Sequence, residues 1–229
     1  MINFDPESQI LYEDNHLIVI NKYPSQIVQG DKTGDEPLSE QIKQYLKKKY
    51  NKPGNVFCGV VHRLDRPVSG VLIFARTSKA LTRMNELVKN REIKKIYWAV
   101  VKNPPPDQNG HLVNYISRNQ QKNKSFIVSK DTAGAKKAEL IYTYLQHSDK
   151  YHLLEIELLT GRHHQIRAQL AHIGCPIKGD VKYGFNRTNE DGSIHLHAQC
   201  IEFIHPIKKE RIKIEAPLIS EPLWSYFDR

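Results

Sequence analysis

Asp65 is the residue whose surroundings point most directly to chemistry in this chain of 229 residues. It is the only carboxylate between Glu40 and Glu86, an interval that contains ten lysine or arginine residues. Arg63 and Arg66 stand on either side of it. Because nearby positive charge favours the ionised form of a carboxyl group, we expect Asp65 to be anionic at neutral pH. A catalytic carboxylate in a loop would have these surroundings, and so would an aspartate that pairs with an arginine and fixes the loop.

A second unusual stretch, residues 158–179, contains no acid but holds two arginines, a lysine and three histidines. Arg167 lies beside the apolar stripe of a predicted helix, so we expect it to be half-buried. A buried guanidinium needs an anion. An arginine that reaches the isolated Asp65, or a phosphate, would explain both anomalies. A basic helix face in solvent is the alternative.

Two histidine pairs, His163–His164 and His195–His197, raise the question of a metal site. Metal sites usually add carboxylates or thiols at defined spacings, and none stand beside these histidines. His195 and His197 would share one face of a regular strand, which suits a hydrogen-bonded core as well as a metal. We therefore expect no metal ion.

Tyr97 belongs to the strand pattern KKIYWAVV (94–101). Alternation along a strand places it on the same face as Ala99 and Val101. It is therefore either an aromatic residue of the core or a surface on which an unpaired RNA base stacks. The spacing alone does not choose between the two.

The elements that must position these residues are mostly strands. Asp65 falls in a polar loop between two apolar patterns, VFCGVV (56–61) and GVLIFAR (70–76). Further strand patterns follow one another along the chain with few helices between them. This arrangement predicts an α+β fold with a large mixed, mainly antiparallel β-sheet flanked by helices and loops. No internal repeat or low-complexity linker divides the chain, so we expect a single domain over residues 1–229.

Two helices flank the candidate residues. The first is predicted over residues 78–91, with Ser78 as its N-cap. The second is predicted over residues 162–173, with Thr160 as its N-cap. Gly174 is expected to be the left-handed residue that ends this second helix.

The charge of the chain favours a polyanionic partner. Lysine and arginine number 34 against 25 acids, which gives a net charge of +9 and a pI near 9.3. The first forty residues hold eight acids and two lysines, so the remaining residues carry 32 basic and 17 acidic side chains. Such a basic body is typical of nucleic-acid-binding proteins, although net charge can also serve solubility alone.

Other compositional features exclude several classes. No apolar run approaches the roughly 18 residues that a membrane-spanning helix requires, and the first ten residues show no signal peptide. The three cysteines, Cys58, Cys175 and Cys200, have none of the short spacings of zinc or redox motifs. We therefore expect a cytoplasmic protein with reduced thiols and no contact with membranes.

Several ordered motifs resemble those of the RluA-type pseudouridine synthases, which isomerise uridine to pseudouridine in ribosomal or transfer RNA. The most specific is HRLDRPVSGVLIFART (62–77), which includes Asp65. The resemblance extends over nearly the whole chain. Its other segments are ILYEDNHLIVINKYPSQIVQ (10–29), KIYWAVV (95–101), GRHHQIRAQLAHIGCPIKGDVKYG (161–184), LHAQCIEFIHP (196–206) and EAPL (215–218).

This resemblance implies a role for each candidate residue. Asp65 would be the catalytic aspartate, and Arg63 would fill the gap left by the extracted nucleotide. Tyr97 would contact the target base, and Arg167 would pair with the carboxylate of Asp65. The family fold is a mixed sheet flanked by helices and loops, with a basic active-site cleft.

The chain departs from the family pattern at a few positions. Val68 and His163 stand where threonine is usual, and NKYP (21–24) replaces the commoner Lys-Pro. These differences concern the choice of target more than the chemistry. Only about ten residues precede the first predicted strand, so we expect a catalytic domain without the N-terminal S4 domain of many relatives.

The resemblance predicts an isomerase that acts on large-subunit rRNA or tRNA as a monomer, with no cofactor. The target uridine must be flipped out of its stack before its atoms can be reached. An anionic Asp65 would then act as nucleophile at C1′ or as base at C2′. Two other classes stay open: an RNA-binding module that has lost activity, and a metal-dependent RNA hydrolase that uses the histidines.

Overall fold

The computed structural model of the protein describes residues 3–30 and 34–228. Its helices are α1 (Pro6–Gln9), α2 (Leu38–Lys49), α3 (Ser78–Asn90), α4 (Gln165–His172) and α5 (Pro222–Phe227), with one 3-10 turn at Val181–Tyr183. Its strands are β1 (Ile10–Glu13), β2 (Leu17–Lys22), β3 (Gly59–Val60), β4 (Ser69–Ala75), β5 (Lys94–Val101), β6 (Asn109–Asn119), β7 (Lys124–Val128), β8 (Lys136–His147), β9 (His152–Leu158), β10 (Leu196–Ile204) and β11 (Arg211–Glu215).

These elements form two units. The first comprises Met1–Ile93 and Ala198–Pro217, and the second comprises Lys94–His197 and Leu218–Arg229. In the first unit, strands β1, β2, β4 and β10 are neighbours in that order, while β3 pairs with β4 and β11 pairs with β10. Strands β2 and β4 are buried along their whole length, because their near-continuous apolar sequences leave no face that favours water.

The core of the first unit holds the strands against α3. Its members are apolar side chains of several elements, including Leu17, Val19, Ile73, Met84 and Phe203. The predicted strand over 56–61 is reduced to β3, Gly59–Val60, which pairs with the far end of β4. The chain between β3 and β4 is therefore a loop of eight residues, 61–68, fixed at both ends by buried strands.

Helix α3 begins at the predicted residue and ends one residue earlier than predicted, at Asn90, and its N-cap differs. Thr77 has extended backbone angles, and its side chain accepts a hydrogen bond from the Ala80 amide at 3.1 Å. Ser78, the predicted cap, is the first helical residue instead. The cap is Thr77 because its oxygen lies three residues before the amide that needs an acceptor.

The second unit contains strands in the order β5, β9, β8, β6, β7, and every neighbouring pair among them is antiparallel. Helix α4 packs near β6 and β7 through a small core that includes Ile116, Ala138 and Ala168. Another core of this unit contains Trp224 and Phe227, the buried residues of α5.

Helix α4 begins three residues later than predicted. Its N-cap is His164, whose φ of 52° is left-handed, and no side chain caps the helix. A residue in that conformation cannot continue a right-handed helix, so residues 162–164 form a turn. The side chain of Thr160, the predicted cap, donates to Gln165 Oε1 at 2.8 Å and accepts from the Glu139 amide at 2.8 Å. The prediction for Gly174 is confirmed, since its φ is 82°.

The predicted class, α+β with a mixed and mainly antiparallel sheet and a few helices, is confirmed. Within residues 3–30 and 34–228, no helix is both long and apolar enough to cross a membrane.

We expect Gly70→Ala to destabilise the first unit strongly. Gly70 lies in β4 with a φ of 109°, and a Cβ there would overlap the backbone of Ala198. The left-handed conformation alone costs an alanine about 1–2 kcal/mol, and the overlap adds to that cost. Gly134→Ala is the matched control, because Gly134 has a φ of 75° but open space around its Cβ position. Urea unfolding should show a clearly larger loss for Gly70→Ala, and equal losses would contradict the close approach.

Candidate active site

Asp65 lies half-buried in the loop between β3 and β4. Leu64 and Val68 point into the core on either side of it, with 8% and 2% of their surface exposed. The Val68 amide donates to the Asp65 carbonyl at 3.0 Å, which closes a turn around the aspartate. At the start of the loop, the Ile73 amide donates to His62 Nε2 at 3.2 Å. Apolar anchors and these hydrogen bonds fix the backbone that carries the Asp65 side chain.

Lys22 supports this loop from the buried side. It is the last residue of β2 and is fully buried. Its ammonium donates to the carbonyls of Val68 at 2.7 Å, Tyr23 at 3.0 Å and Arg66 at 3.1 Å. Two of these carbonyls belong to residues that follow Asp65 within three positions. The ammonium therefore fixes the backbone of the turn that carries the carboxylate.

The charge of Lys22 is coupled to that of Asp65. Burial lowers the pKa of Lys22 to about 7, the negative charge of Asp65 opposes that change, and the positive charge of Arg66 adds to it. The three carbonyl acceptors match the three N–H donors of an ammonium group, whereas a neutral amine offers only two. These acceptors and the charge of Asp65 favour the charged form of Lys22 and so oppose burial, which is the larger effect.

The two arginines of the loop differ in their contacts. Both are exposed, and Arg66 forms an ion pair of 2.7 Å with Asp35. The Arg66 carbonyl accepts from the Ser25 amide at 2.9 Å in addition to Lys22. Arg63 has no carboxylate within 4 Å among the described residues, so its guanidinium, unlike that of Arg66, is not held in an ion pair.

Tyr97 lies on β5 in the second unit, opposite Ile156 of β9. It is buried, with 7% of its surface exposed, so packing fixes its ring. Both readings of this residue, a core aromatic and the edge of a base-binding surface, agree with that degree of exposure.

Arg167 has the anion that its burial requires. Its exposed fraction is 5%, and its Nε and Nη2 donate to the two carboxylate oxygens of Asp180 at 2.7 and 2.8 Å. Asp180 is 1% exposed, so this is a buried two-pronged ion pair. The sequence predicted burial and an anion but did not identify Asp180. The predicted pairing of Arg167 with Asp65 concerns residues of different units and stays a prediction.

Tyr183 completes the surroundings of Arg167. The guanidinium lies over its ring, 5.1 Å from the centroid. The Tyr183 hydroxyl accepts from the Ser125 amide at 2.8 Å and lies 3.0 Å from His164 Nδ1. This contact holds His164 in the left-handed conformation that starts α4, and so sets where Arg167 projects.

The histidines make contacts that account for their positions. His163 and His164 stack at 3.8 Å. His195 Nε2 lies 3.0 Å from the Glu221 carboxylate, which also caps α5. Burial lowers the pKa of His195, and the same histidine helps to lower the pKa of Glu221 to about 2. Over the part of the chain that the structure describes, no three histidine, cysteine or acidic residues come together as a metal site.

Lys22 and Asp180, the buried partners of the candidate residues, were not predicted, although the sequence contains a signal for each. Lys22 is the only lysine or arginine in the first 31 residues, and it stands at the end of the apolar pattern LIVINK (17–22). Asp180 is the first acid after the acid-free stretch that contains Arg167. In both cases a charged residue that is isolated in the sequence is buried against a group of the predicted site.

The comparisons with known proteins agree on one family. Residues 16–172 match the model of the family described as RNA pseudouridylate synthase. The ribosomal large subunit pseudouridine synthase C of Buchnera aphidicola (from Acyrthosiphon pisum) is 38% identical over 221 residues, which cover 92% of this chain and 67% of that protein. The synthase D of Xylella fastidiosa is 33% identical over 222 residues, with coverage of 91% and 65%.

The solved structures support the fold. Human RNA pseudouridylate synthase domain containing 4 is similar with a TM-score of 0.76 at 24% identity, over 93% of this chain and 89% of that one. Human RNA pseudouridylate synthase domain containing 1 is similar with a TM-score of 0.73 at 22% identity, over 95% of this chain and 86% of that one.

A loop aspartate among arginines, in a basic α+β chain, is the arrangement expected of an enzyme that acts on a polyanion. The matched family specifies which class of enzyme this is. The chain belongs to the RNA pseudouridine synthases of the RluA type, isomerases that convert uridine in RNA to pseudouridine.

We expect Lys22→Met to lower stability in a pH-dependent way. Because folding lowers the pKa of Lys22 to about 7 from 10.5, the unfolded chain binds more protons between those values. Wild-type stability therefore gains a contribution that rises with pH through this window. The methionine variant lacks that rise and takes the Lys22 donor away from three carbonyls, of which that of Arg66 keeps the Ser25 amide described above, at a cost of about 1–3 kcal/mol.

Urea unfolding of wild type, Lys22→Met and the exposed control Lys79→Met at several pH values checks this expectation. The gap between wild type and Lys22→Met should widen from neutral to alkaline pH. Parallel pH profiles of these two proteins would contradict it.

Asp180→Asn should remove the charge that balances Arg167 without changing side-chain size. Loss of one partner of a buried ion pair typically costs about 3–5 kcal/mol, because the other charge stays buried. The exposed Asp149→Asn is the matched control. Thermal unfolding should show a large drop for Asp180→Asn and almost none for Asp149→Asn. A stability of Asp180→Asn within about 0.5 kcal/mol of wild type would show that Arg167 does not depend on this carboxylate.

Proposed function

We propose that this chain isomerises uridines of large-subunit ribosomal RNA, with Asp65 as the catalytic carboxylate. The observation that carries the proposal is the contact between Lys22 and the loop of Asp65. A buried ammonium beside the turn favours an anionic carboxylate there and fixes its position, which is what a nucleophile or base requires. An aspartate that only pinned the loop would be redundant, because Lys22 and the backbone hydrogen bonds already do so.

The reaction needs one carboxylate and no external reactant. The C1′–N1 bond of uridine breaks, the uracil rotates and a C1′–C5 bond forms. The hydrogen at C5 leaves as a proton, and N1 takes up a proton. Asp65 acts either as nucleophile at C1′ or as base at C2′. A hydrolase that works by general acid and base would need a second carboxyl group across the bond. Because atoms and electrons balance within the substrate, no cofactor or metal enters the proposal.

Arg63 is proposed to stabilise the extracted state of the nucleotide. A stacked uridine hides C1′ and C5, and extracting it costs a few kcal/mol. Arg63 lies two residues before Asp65, is exposed, and can occupy the space that the nucleotide leaves. Its charge also attracts the flanking phosphates, so binding should weaken as salt increases.

Tyr97 and Arg167 are proposed to contact the target. The fixed ring of Tyr97 would form one wall for the uracil. Besides its two-pronged ion pair with Asp180, the guanidinium of Arg167 is proposed to orient the Asp65 carboxylate. A basic cleft, a monomeric state and a cytoplasmic location stay predictions.

The substrate is proposed from the relatives. The Buchnera aphidicola and Xylella fastidiosa relatives are named as ribosomal large subunit synthases, which favours rRNA over tRNA for this chain. Transfer RNA is the second arm of the test, because the site residues themselves do not distinguish the two.

Tritium release from RNA labelled at uridine C5 tests this proposal. Wild type, Asp65→Ala and the exposed control Asp149→Ala would be assayed on total rRNA and total tRNA separately, with EDTA present. We expect release by wild type and Asp149→Ala from rRNA. Asp65→Ala should lose at least about a hundredfold in rate, the scale of a single catalytic group, while its RNA affinity stays within about tenfold.

Other outcomes would overturn parts of the proposal. Full activity of Asp65→Ala would exclude Asp65 as the catalyst, and release from tRNA alone would exclude the rRNA assignment. Wild-type release that occurs without EDTA but is lost with it would show that a metal ion is required. If free rRNA gives no tritium release, the assay would be repeated on partly assembled large subunits. Absence of release from those subunits as well would reject the isomerase activity for these substrates.

A further inference from the structure

The turn that joins β6 and β7 in the second unit is strongly basic. Residues 110–138 contain six lysines and arginines but a single acid, Asp131. Three of these bases, Arg118, Lys122 and Lys124, stand at or next to the turn, and Lys182 approaches it from the 3-10 turn. None of the four cations has a carboxylate within 4 Å over residues 3–30 and 34–228. We call these four residues the hairpin cations.

Several lysines elsewhere in this protein have a different environment. Lys137 pairs with Glu139 at 2.9 Å, Lys208 with Asp14 at 3.0 Å, and Lys49 with Glu13 at 2.9 Å. A basic face that only served solubility would be expected to show the same balance of charges. The hairpin cations instead leave an excess of positive charge at one place.

The hairpin cations surround one backbone turn. Arg118 Nη2 donates to the Asn123 side-chain oxygen at 3.3 Å, and Lys182 Nζ donates to the Asn123 carbonyl at 3.2 Å. The Lys124 ammonium lies over the rings of Phe126 and Tyr183, at 5.5 and 4.9 Å. Weak bonds to neutral oxygens and rings place these cations without neutralising them.

Buried contacts hold the turn rigid. The Ser125 hydroxyl, in a residue that is 1% exposed, donates to the His163 carbonyl at 2.6 Å. His163 Nε2 lies 3.2 Å from the Asn123 side-chain oxygen, and the Ser125 amide donates to Tyr183 at 2.8 Å. A surface that is ordered before binding avoids much of the entropy cost of ordering side chains and loops on association. The basic turn is therefore built as a fixed surface.

An aromatic ring is part of the same surface. Phe126 is 39% exposed beside Lys124, although large apolar side chains are normally buried. Cations that contact phosphates, interleaved with an exposed ring on which a base can stack, are the chemistry of single-stranded or looped RNA recognition. An acidic protein would be attracted by the charge, but the exposed ring beside cations favours a nucleic acid.

We propose that the hairpin cations bind the phosphate backbone of the RNA substrate at nucleotides outside the one that is isomerised. The proposal rests on the proposed function for its ligand and adds a second contact surface to it. The hairpin contributes affinity and register and takes no part in the bond-breaking steps.

The test removes two cations whose loss leaves the buried contacts intact. Lys122→Ala/Lys182→Ala would be compared with Lys79→Ala/Lys89→Ala, a matched pair of exposed lysines on α3. Both variants lose two charges, so any effect of net charge alone is the same in each. Melting temperatures would confirm that both are folded.

The measurement is the affinity for total rRNA across a series of KCl concentrations, with tritium release measured in parallel. Each phosphate contact contributes a slope of about 0.7–0.9 to log Kd against log salt. We expect the hairpin variant to lose roughly 1.4–1.8 in slope and roughly tenfold or more in affinity at about 0.1 M salt, with the kinetic loss in KM. The control should keep the wild-type slope.

Substitutions at one further position test the effect of charge without shortening a lysine side chain. Gln121 is exposed at the same turn, so Gln121→Glu should weaken RNA binding and Gln121→Lys should strengthen it. Equal slopes for the hairpin variant and wild type, equal losses in hairpin and control variants, or no effect of charge at position 121 would each overturn the proposal.

Failure of the proposed function would be visible separately. If wild type released no tritium from any RNA while the hairpin variant still lost salt-dependent affinity, the hairpin proposal would stand as an RNA-binding surface and the isomerase assignment would fall. If wild type were active and the hairpin variant bound RNA normally, the isomerase assignment would stand and the hairpin proposal would fall.

Discussion

A buried ammonium group is the constraint on which the candidate site of the first unit depends. Lys22 has no access to water, and three carbonyl groups replace its hydration shell. A charge in that position is costly unless its partners are well placed, so the carbonyls of Arg66 and Val68 cannot move away without leaving it unsatisfied. The turn that bears Asp65 is therefore restricted to one backbone conformation, and the carboxylate in turn favours the charge beneath it.

The second unit applies the same principle with opposite roles. Here the group of the predicted site, Arg167, is the buried cation, and Asp180 supplies the balancing charge. Tyr183 covers the guanidinium and, through His164, determines where α4 begins. Both units thus fix a charged residue by burying its partner. This arrangement restricts conformational freedom before any RNA binds, and preorganised charge is what electrostatic catalysis requires.

The sequence indicated Asp65 and α3 more readily than the buried contacts that position the candidate residues. Asp65 could be proposed as a candidate because charge isolation is a local property, and α3 could be predicted because its apolar period is local too. The burial of Lys22 was not, since lysine is normally exposed and only the packing of β2 against β4 removes it from water. The fork between Arg167 and Asp180 spans thirteen residues of sequence, and nothing in the spacing indicates which acid an arginine will meet. The start of α4 was misplaced because a left-handed His164 depends on Tyr183, a tertiary contact.

The central claim is that a carboxylate held in place by Lys22 carries out the chemistry, and single-turnover kinetics with enzyme in excess over RNA tests it most directly. In that regime the rate of pseudouridine formation is separated from product release and from weak binding. The account predicts that Asp65→Asn, which keeps the shape of the side chain and removes its charge, binds RNA and shows a rate lower by at least about a hundredfold. A single-turnover rate of folded, RNA-bound Asp65→Asn equal to that of wild type would contradict it.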